Sequence, residues 1–172
     1  ATGGVGHHEA LRRQYFPTST PDSYAPESHN AVGICAARDI GAALDITKYP
    51  ALWFPTSYQT LPDGYRAMWP HIILDRAKPG LLAVLSDGKR FVNESNSYHD
   101  FSSAQIDCSE NGKLPTAYLI VDDAFVRRYG LGFIMPGGKK LAHFVEKGYL
   151  TRADTLAGLA ERCGIGAAAL QN

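Results

Sequence analysis

The chain carries no net charge, no long apolar run and very little cysteine. Its 17 basic and 17 acidic residues balance, so overall charge favours neither nucleic acid nor an anionic membrane as partner. The longest apolar stretches, at 80–85 and 118–121, fall far short of the ~20 residues that span a bilayer. The sequence does not open on the basic-then-apolar pattern of a secretory signal. Cys35, Cys108 and Cys163 are widely separated and form no CxxC pair, which argues against both a disulfide framework and a zinc site. A reducing, cytoplasmic setting is the expectation. No internal repeat or low-complexity tract is visible.

What is present suffices for a core: 172 residues at 45% apolar content make one domain or slightly more. The densest chemistry lies in GKRFVNESNSYHDF, residues 88–101. Asp87-Gly88 supplies a tight turn, 90–92 reads as a short extended run, and Ser97 is placed to cap a helix starting near Tyr98. Glu94, Tyr98 and Asp100 then fall together at a strand-to-helix junction, where burial and backbone amides shift pKa values and proton transfer becomes possible. The same residues also describe a surface hairpin with polar helix caps.

Elsewhere, ATGGVG at 1–6 has glycines that let a backbone approach a ligand closely. His7 and His8 are adjacent and point to different sides of any regular element, so a solvated helix suits them better than a metal. A short helix is expected at 9–15, a proline-rich loop at 16–28, and a helix at 30–44 capped by Asn30, with small residues such as Gly33 and Ala37 allowing close packing. From Tyr49 the character turns aromatic and β-branched, broken by PDG, KPG and DG turns, which predicts a meander of short strands to residue 93. Trp53, Phe54 and Trp69 read as core or as a pocket wall, and His71 as a satisfied packing histidine. A buried strand at 116–122 follows, then helices at 124–129 capped by Asp123, at 141–147, and at 155–163 capped by Asp154. This order is α+β.

ATGG at 1–4, the small-residue helix after Asn30, GKRFVNE at 88–94, YLIVDDAFVRRYG at 118–130 and DTLAGLAERCGI at 154–165 together resemble the flavoprotein family of fumarate reductases, succinate dehydrogenases and 3-ketosteroid dehydrogenases. The resemblance implies an edge of an α/β FAD-binding domain at 1–47, a substrate-binding cap domain with a small meandering sheet at 48–150, and returning helices at 151–172. Thr2, Gly3, Gly4, Asn93 and Glu94 would then contact FAD. Fumarate reductases carry arginine four residues after the glutamate, whereas Tyr98 stands here, which resembles the ketosteroid branch. There a tyrosine takes a proton while flavin accepts hydride, and a tyrosine serves as base when a neighbour helps it, here His99 or a tyrosine from outside this sequence. The family helix opens Gly-Asp-Gly where this chain has Ala31-Val32-Gly33. The GxGxxG phosphate turn is not in the sequence either, so the expectation is an internal piece that does not hold FAD by itself. The alternatives are a fumarate or succinate-type flavoprotein and a non-catalytic binding module. A steroid-like small molecule is the implied partner, with self-association through the 31–44 helix a further expectation.

Overall fold

The computed structural model describes residues 2–19 and 22–171. The chain divides into two compact units, one formed by residues 1–52 with 109–114, the other by 53–108 with 115–172.

In the first unit α1 spans Glu9–Tyr15, and its cap is His8, whose Nδ1 accepts the Leu11 amide at 3.2 Å. Leu11 is the buried residue of this helix. Helix α2 spans Val32–Asp39, shorter at both ends than the sequence implied. Asn30 does not cap it. Ala31 holds that place in the left-handed region, φ 65, without a side-chain cap bond, and its amide is donated to the Gly4 carbonyl at 2.9 Å. The packing of residues 2–4 against the helix start therefore replaces an ordinary cap. A Cβ on Gly33 would stand 1.9 Å from Thr2 Oγ1, so the small residue is required by contact with residue 2. Gly41, φ 86, follows the helix end. The described part of the proline-rich loop is irregular and is tied by Thr18, whose hydroxyl donates to the Gly112 carbonyl at 2.9 Å. Thr20 and Pro21 of that loop, Ala1 of ATGG and the final Asn172 lie outside the described residues.

The second unit holds two separate antiparallel ribbons, where the sequence suggested one meander. Strands β1, Thr56–Thr60, and β2, Arg66–Pro70, pair with Ser57 opposite Trp69. Asp63 Oδ1 accepts the Tyr65 amide at 2.9 Å in the intervening turn. Strand β3, Leu82–Val84, pairs instead with the distant β4, Tyr118–Ile120. Residues 90–93 add only the bridge between Val84 and Arg90. Helix α3 spans Tyr98–Asp107, α4 Asp123–Tyr129, α5 Leu141–Glu146, α6 Leu156–Cys163 and α7 Ala167–Gln171. The caps of α4 and α6 are Asp122 and Thr155, each one residue from the position expected.

Two apolar clusters hold these pieces. Val84, Ala160, Ile165 and Leu170 join β3 to α6 and α7, while Leu81, Phe125 and Leu131 seat α4. Phe101 of α3 is 1% exposed, a burial worth about 1.5–3 kcal/mol. Among the described residues no helix is long and apolar enough to cross a membrane.

Candidate functional site

Ser97 begins the α3 end of the site: its Oγ accepts the Asp100 amide at 3.1 Å and donates to Asp100 Oδ2 at 2.9 Å. This reciprocal cap fixes Tyr98 as the first helical residue. The Tyr98 ring stacks on Phe54, with centroids 4.6 Å apart and planes 11° from parallel. Among the described residues its hydroxyl has no hydrogen-bond partner. His99, the proposed helper, instead accepts the Trp53 amide on Nδ1 at 3.4 Å. Residues 53 and 54 thus hold the first helical turn by a backbone bond and a ring stack.

Glu94, four residues earlier, is buried at 6% exposure. Its Oε1 accepts the Ala83 amide at 2.9 Å, and Arg90 Nε reaches both carboxylate oxygens at 2.9 and 3.0 Å. Burial pushes this carboxyl up, but the Arg90 guanidinium and the backbone donors outweigh burial and leave it below the ordinary value. Glu94 therefore welds its loop to β3 as a carboxylate. Asn93 is exposed, and its Oδ1 accepts the Ser95 amide at 3.0 Å, an Asx turn that carries the chain towards α3.

Arg76, which sequence reasoning passed over, underlies the whole loop. It is fully buried, and its guanidinium donates to main-chain carbonyls: Nε to His71 at 3.1 Å, Nη2 to Ile72 at 2.8 Å and Asn96 at 2.7 Å, and Nη1 to Glu94. The same group lies 4.7 Å over the Phe101 ring. Burial lowers its pKa, opposed by Asp75 and Glu94. The available signal was an Asp-Arg pair set in the apolar context HIILDRAKPG, since adjacent opposite charges within an apolar run need buried partners. Of the proposed aromatic wall, Phe54 contacts Tyr98, and Trp69 meets Phe133 edge-on at 5.4 Å. His71 is buried and satisfied by Asp75 and Ser57.

Thr2, Gly3 and Gly4 belong to the first unit, and Asn93, Glu94 and Tyr98 to the second. Gly3 adopts φ +74, and a Cβ on Gly4 would meet nothing within 4 Å. A Cβ on Gly3 would instead stand 2.8 Å from the His29 ring, so the open main chain is that of Gly4.

A family model described as FAD binding domain matches residues 1–172. The chain is 32% identical to the 4-oxocyclohex-2-ene-1-carboxylate 5-dehydrogenase of Sinomonas cyclohexanicum, over 99% of this chain and 29% of that protein. It is also 32% identical to the 3-oxosteroid 1-dehydrogenase of Mycolicibacterium smegmatis, over 95% of this chain and 29% of the other. Among solved structures it is similar to the 3-ketosteroid delta1-dehydrogenase of Sterolibacterium denitrificans in complex with 1,4-androstadiene-3,17-dione, with TM-score 0.72 and 30% identity over 98% of this chain and 30% of that one. The chain thus spans just under a third of the length of these relatives. Because the family model runs the full length of the sequence, and dehydrogenases of cyclic ketones match in both sequence and fold, the chain belongs to the FAD binding domain family.

Proposed function

We propose that the chain is part of a cytoplasmic FAD-dependent dehydrogenase acting on a ketosteroid-like or smaller alicyclic ketone. Residues 48–150 form its substrate-binding cap, 1–47 an edge of the flavin domain, and 151–172 the helices that return to that domain. The observation that carries the reading is Tyr98: a capped first helical residue, ring stacked on Phe54, hydroxyl uncommitted within the described residues. A tyrosine in the place where fumarate reductases carry arginine favours proton removal over recognition of a dicarboxylate.

Thr2, Gly3, Gly4, Asn93 and Glu94 are the residues that would contact FAD, Glu94 through the loop that it fixes. FAD supplies a hydride acceptor. Tyr98 takes the proton from the carbon beside the ketone, and the neighbouring carbon loses hydride, so that one proton and one hydride leave as the new double bond forms. Phe54 orients the Tyr98 ring, and Ser97 sets where its helix begins.

The test is Tyr98→Phe in the full-length holoenzyme, assayed with a 3-ketosteroid and with an oxocyclohexane carboxylate. Turnover is expected to fall about 10²–10⁴-fold while the flavin absorbance of the purified protein stays unchanged. Unaltered turnover would remove Tyr98 from the mechanism.

A further inference from the structure

The second unit contains a chain of four polar side chains that the reaction above does not use. Asp75 Oδ2 lies 2.8 Å from His71 Nδ1, His71 Nε2 lies 2.8 Å from Ser57 Oγ, and Ser57 Oγ lies 2.7 Å from the Tyr149 hydroxyl. Both ends are anchored by main chain. Asp75 also accepts the Gly132 amide at 2.9 Å and the Arg76 amide at 2.7 Å, while the Tyr149 oxygen accepts the Phe133 amide at 3.2 Å. A Cβ on Gly132, φ +59, would stand 1.9 Å from the Tyr149 oxygen, so this turn is shaped around that hydroxyl. His71 and Asp75 are 5% and 4% exposed, which leaves the ring nitrogens to the partners just named.

Counting protons along the chain gives two closed arrangements. Asp75 is held below its ordinary pKa: burial raises it, and the His71 bond and charge with two backbone donors outweigh burial. As a carboxylate it only accepts, so His71 Nδ1 carries a proton. With neutral imidazole, Nε2 accepts from Ser57, Ser57 accepts from Tyr149, and every donor is used. With imidazolium, Nε2 donates to Ser57, Ser57 turns its O–H towards Tyr149, and the Tyr149 O–H is expelled from the network and needs an acceptor elsewhere. The charged groups near His71 are Asp75, which meets its Nδ1, and Arg76, which donates to the His71 carbonyl. Tyr149 itself is kept protonated by burial.

We propose that Asp75, His71, Ser57 and Tyr149 form a proton relay whose outlet is the Tyr149 hydroxyl, which donates to an acceptor oxygen, ketone or carboxylate, on an alicyclic ligand. The ligand class rests on the dehydrogenase reading; the relay rests on the four side chains. In a transfer, the Nε2 proton passes to Ser57, the Ser57 proton to Tyr149 and the Tyr149 proton to the ligand oxygen. Three bonds to hydrogen break and three form, and no electron moves. The effective acid is then the His71 imidazolium, with the phenol unchanged at the end of the step.

The experiment uses the full-length holoenzyme with carbon-13 at tyrosine Cζ and nitrogen-15 in histidine. The signals are assigned by their loss in Tyr149→Phe and His71→Gln. Across a pH series the Tyr149 signal is expected to step with the same midpoint as the His71 signals. Ser57→Ala should abolish the Tyr149 step while His71 still titrates, and Ser57→Thr should restore it. A Tyr149 signal without a step, or a step that survives in Ser57→Ala, overturns the relay. Cyclohexanone and cyclohexanecarboxylate are added separately; the one that raises the shared midpoint identifies the oxygen, and failure of both overturns the ligand assignment. Should the wild-type enzyme leave ketosteroids unoxidised while the linked steps persist, the dehydrogenase reading falls and the relay stands.

Discussion

Asp75 and Arg76 are neighbours in sequence and open into two different polar clusters. Arg76 is a permanent cation surrounded by carbonyl oxygens, with one arrangement of donors. Asp75 ends a chain of titratable and rotatable groups with two arrangements. Burial alone therefore does not distinguish a structural polar cluster from a switchable one; the number of ways its protons can be placed does. The Arg76 cluster fixes where the Glu94 loop lies, and the Asp75 cluster has freedom left to respond to pH or a ligand.

The sharpest way to break the comparison is Arg76→Met. Removal of the guanidinium leaves carbonyls at 71, 72, 94 and 96 without their donor, those at 71 and 94 in buried bonds, and each buried orphan costs about 1–3 kcal/mol. Two such orphans reach the lower end of a domain's stability, so a large fall in the thermal midpoint by circular dichroism is expected. An unmoved thermal midpoint would show that water replaces the arginine.

Acid comes next. Glu94 and Asp75 both have folded pKa values below their ordinary 4.5 and 3.8. Their contributions are therefore complete above those ordinary values and lost as pH falls through the lowered ones. Melting temperature should hold steady down to about pH 5 and drop progressively below pH 4. In Glu94→Gln the acid-induced drop should be shallower, with stability already reduced at neutral pH. An unchanged slope would mean that Glu94 does not carry the effect.

The smallest effect is expected from Ser57→Ala. It removes one hydroxyl from a chain whose remaining members can shift, so about 1 kcal/mol should be lost, read as a small change in denaturant midpoint. A loss as large as that of Arg76→Met would make the relay cluster as rigid as the arginine clamp and remove the contrast.

Local structure was legible wherever a short-range device specifies it. Ser97 caps α3 as read because Ser-x-x-Asp closes on itself within three residues, and the PDG turn is likewise self-contained. The Asn30 cap misled because the contact that decides the start of α2 comes from Gly4, outside the local window. The single meander failed for a similar reason: β3 finds β4 across the whole of α3 and its following loop, and strand-forming residues do not announce their partner. Tyr98 and Glu94 stood out as chemical types, but that Glu94 is bound up by Arg90 and Ala83 while the Tyr98 hydroxyl has no partner among the described residues is a matter of three-dimensional contact. Arg76 was invisible to periodicity because its role is to satisfy backbone, and main-chain carbonyls leave no mark in a sequence.

The Arg76 clamp also has a consequence for how the chain tolerates change in length. One guanidinium grips residues 71–72 on one side and 94–96 on the other, so the two ends of the intervening excursion are held by a side chain at its root. Residues 78–80 at its outer edge are exposed. Extra residues inserted there would enlarge a loop that is already closed, at a cost that grows only with the logarithm of its length, about 0.6 kcal/mol per doubling. The segment from Glu94 to Tyr98 would keep its place, which makes the KPG turn the point where this region can absorb insertions without moving the start of α3.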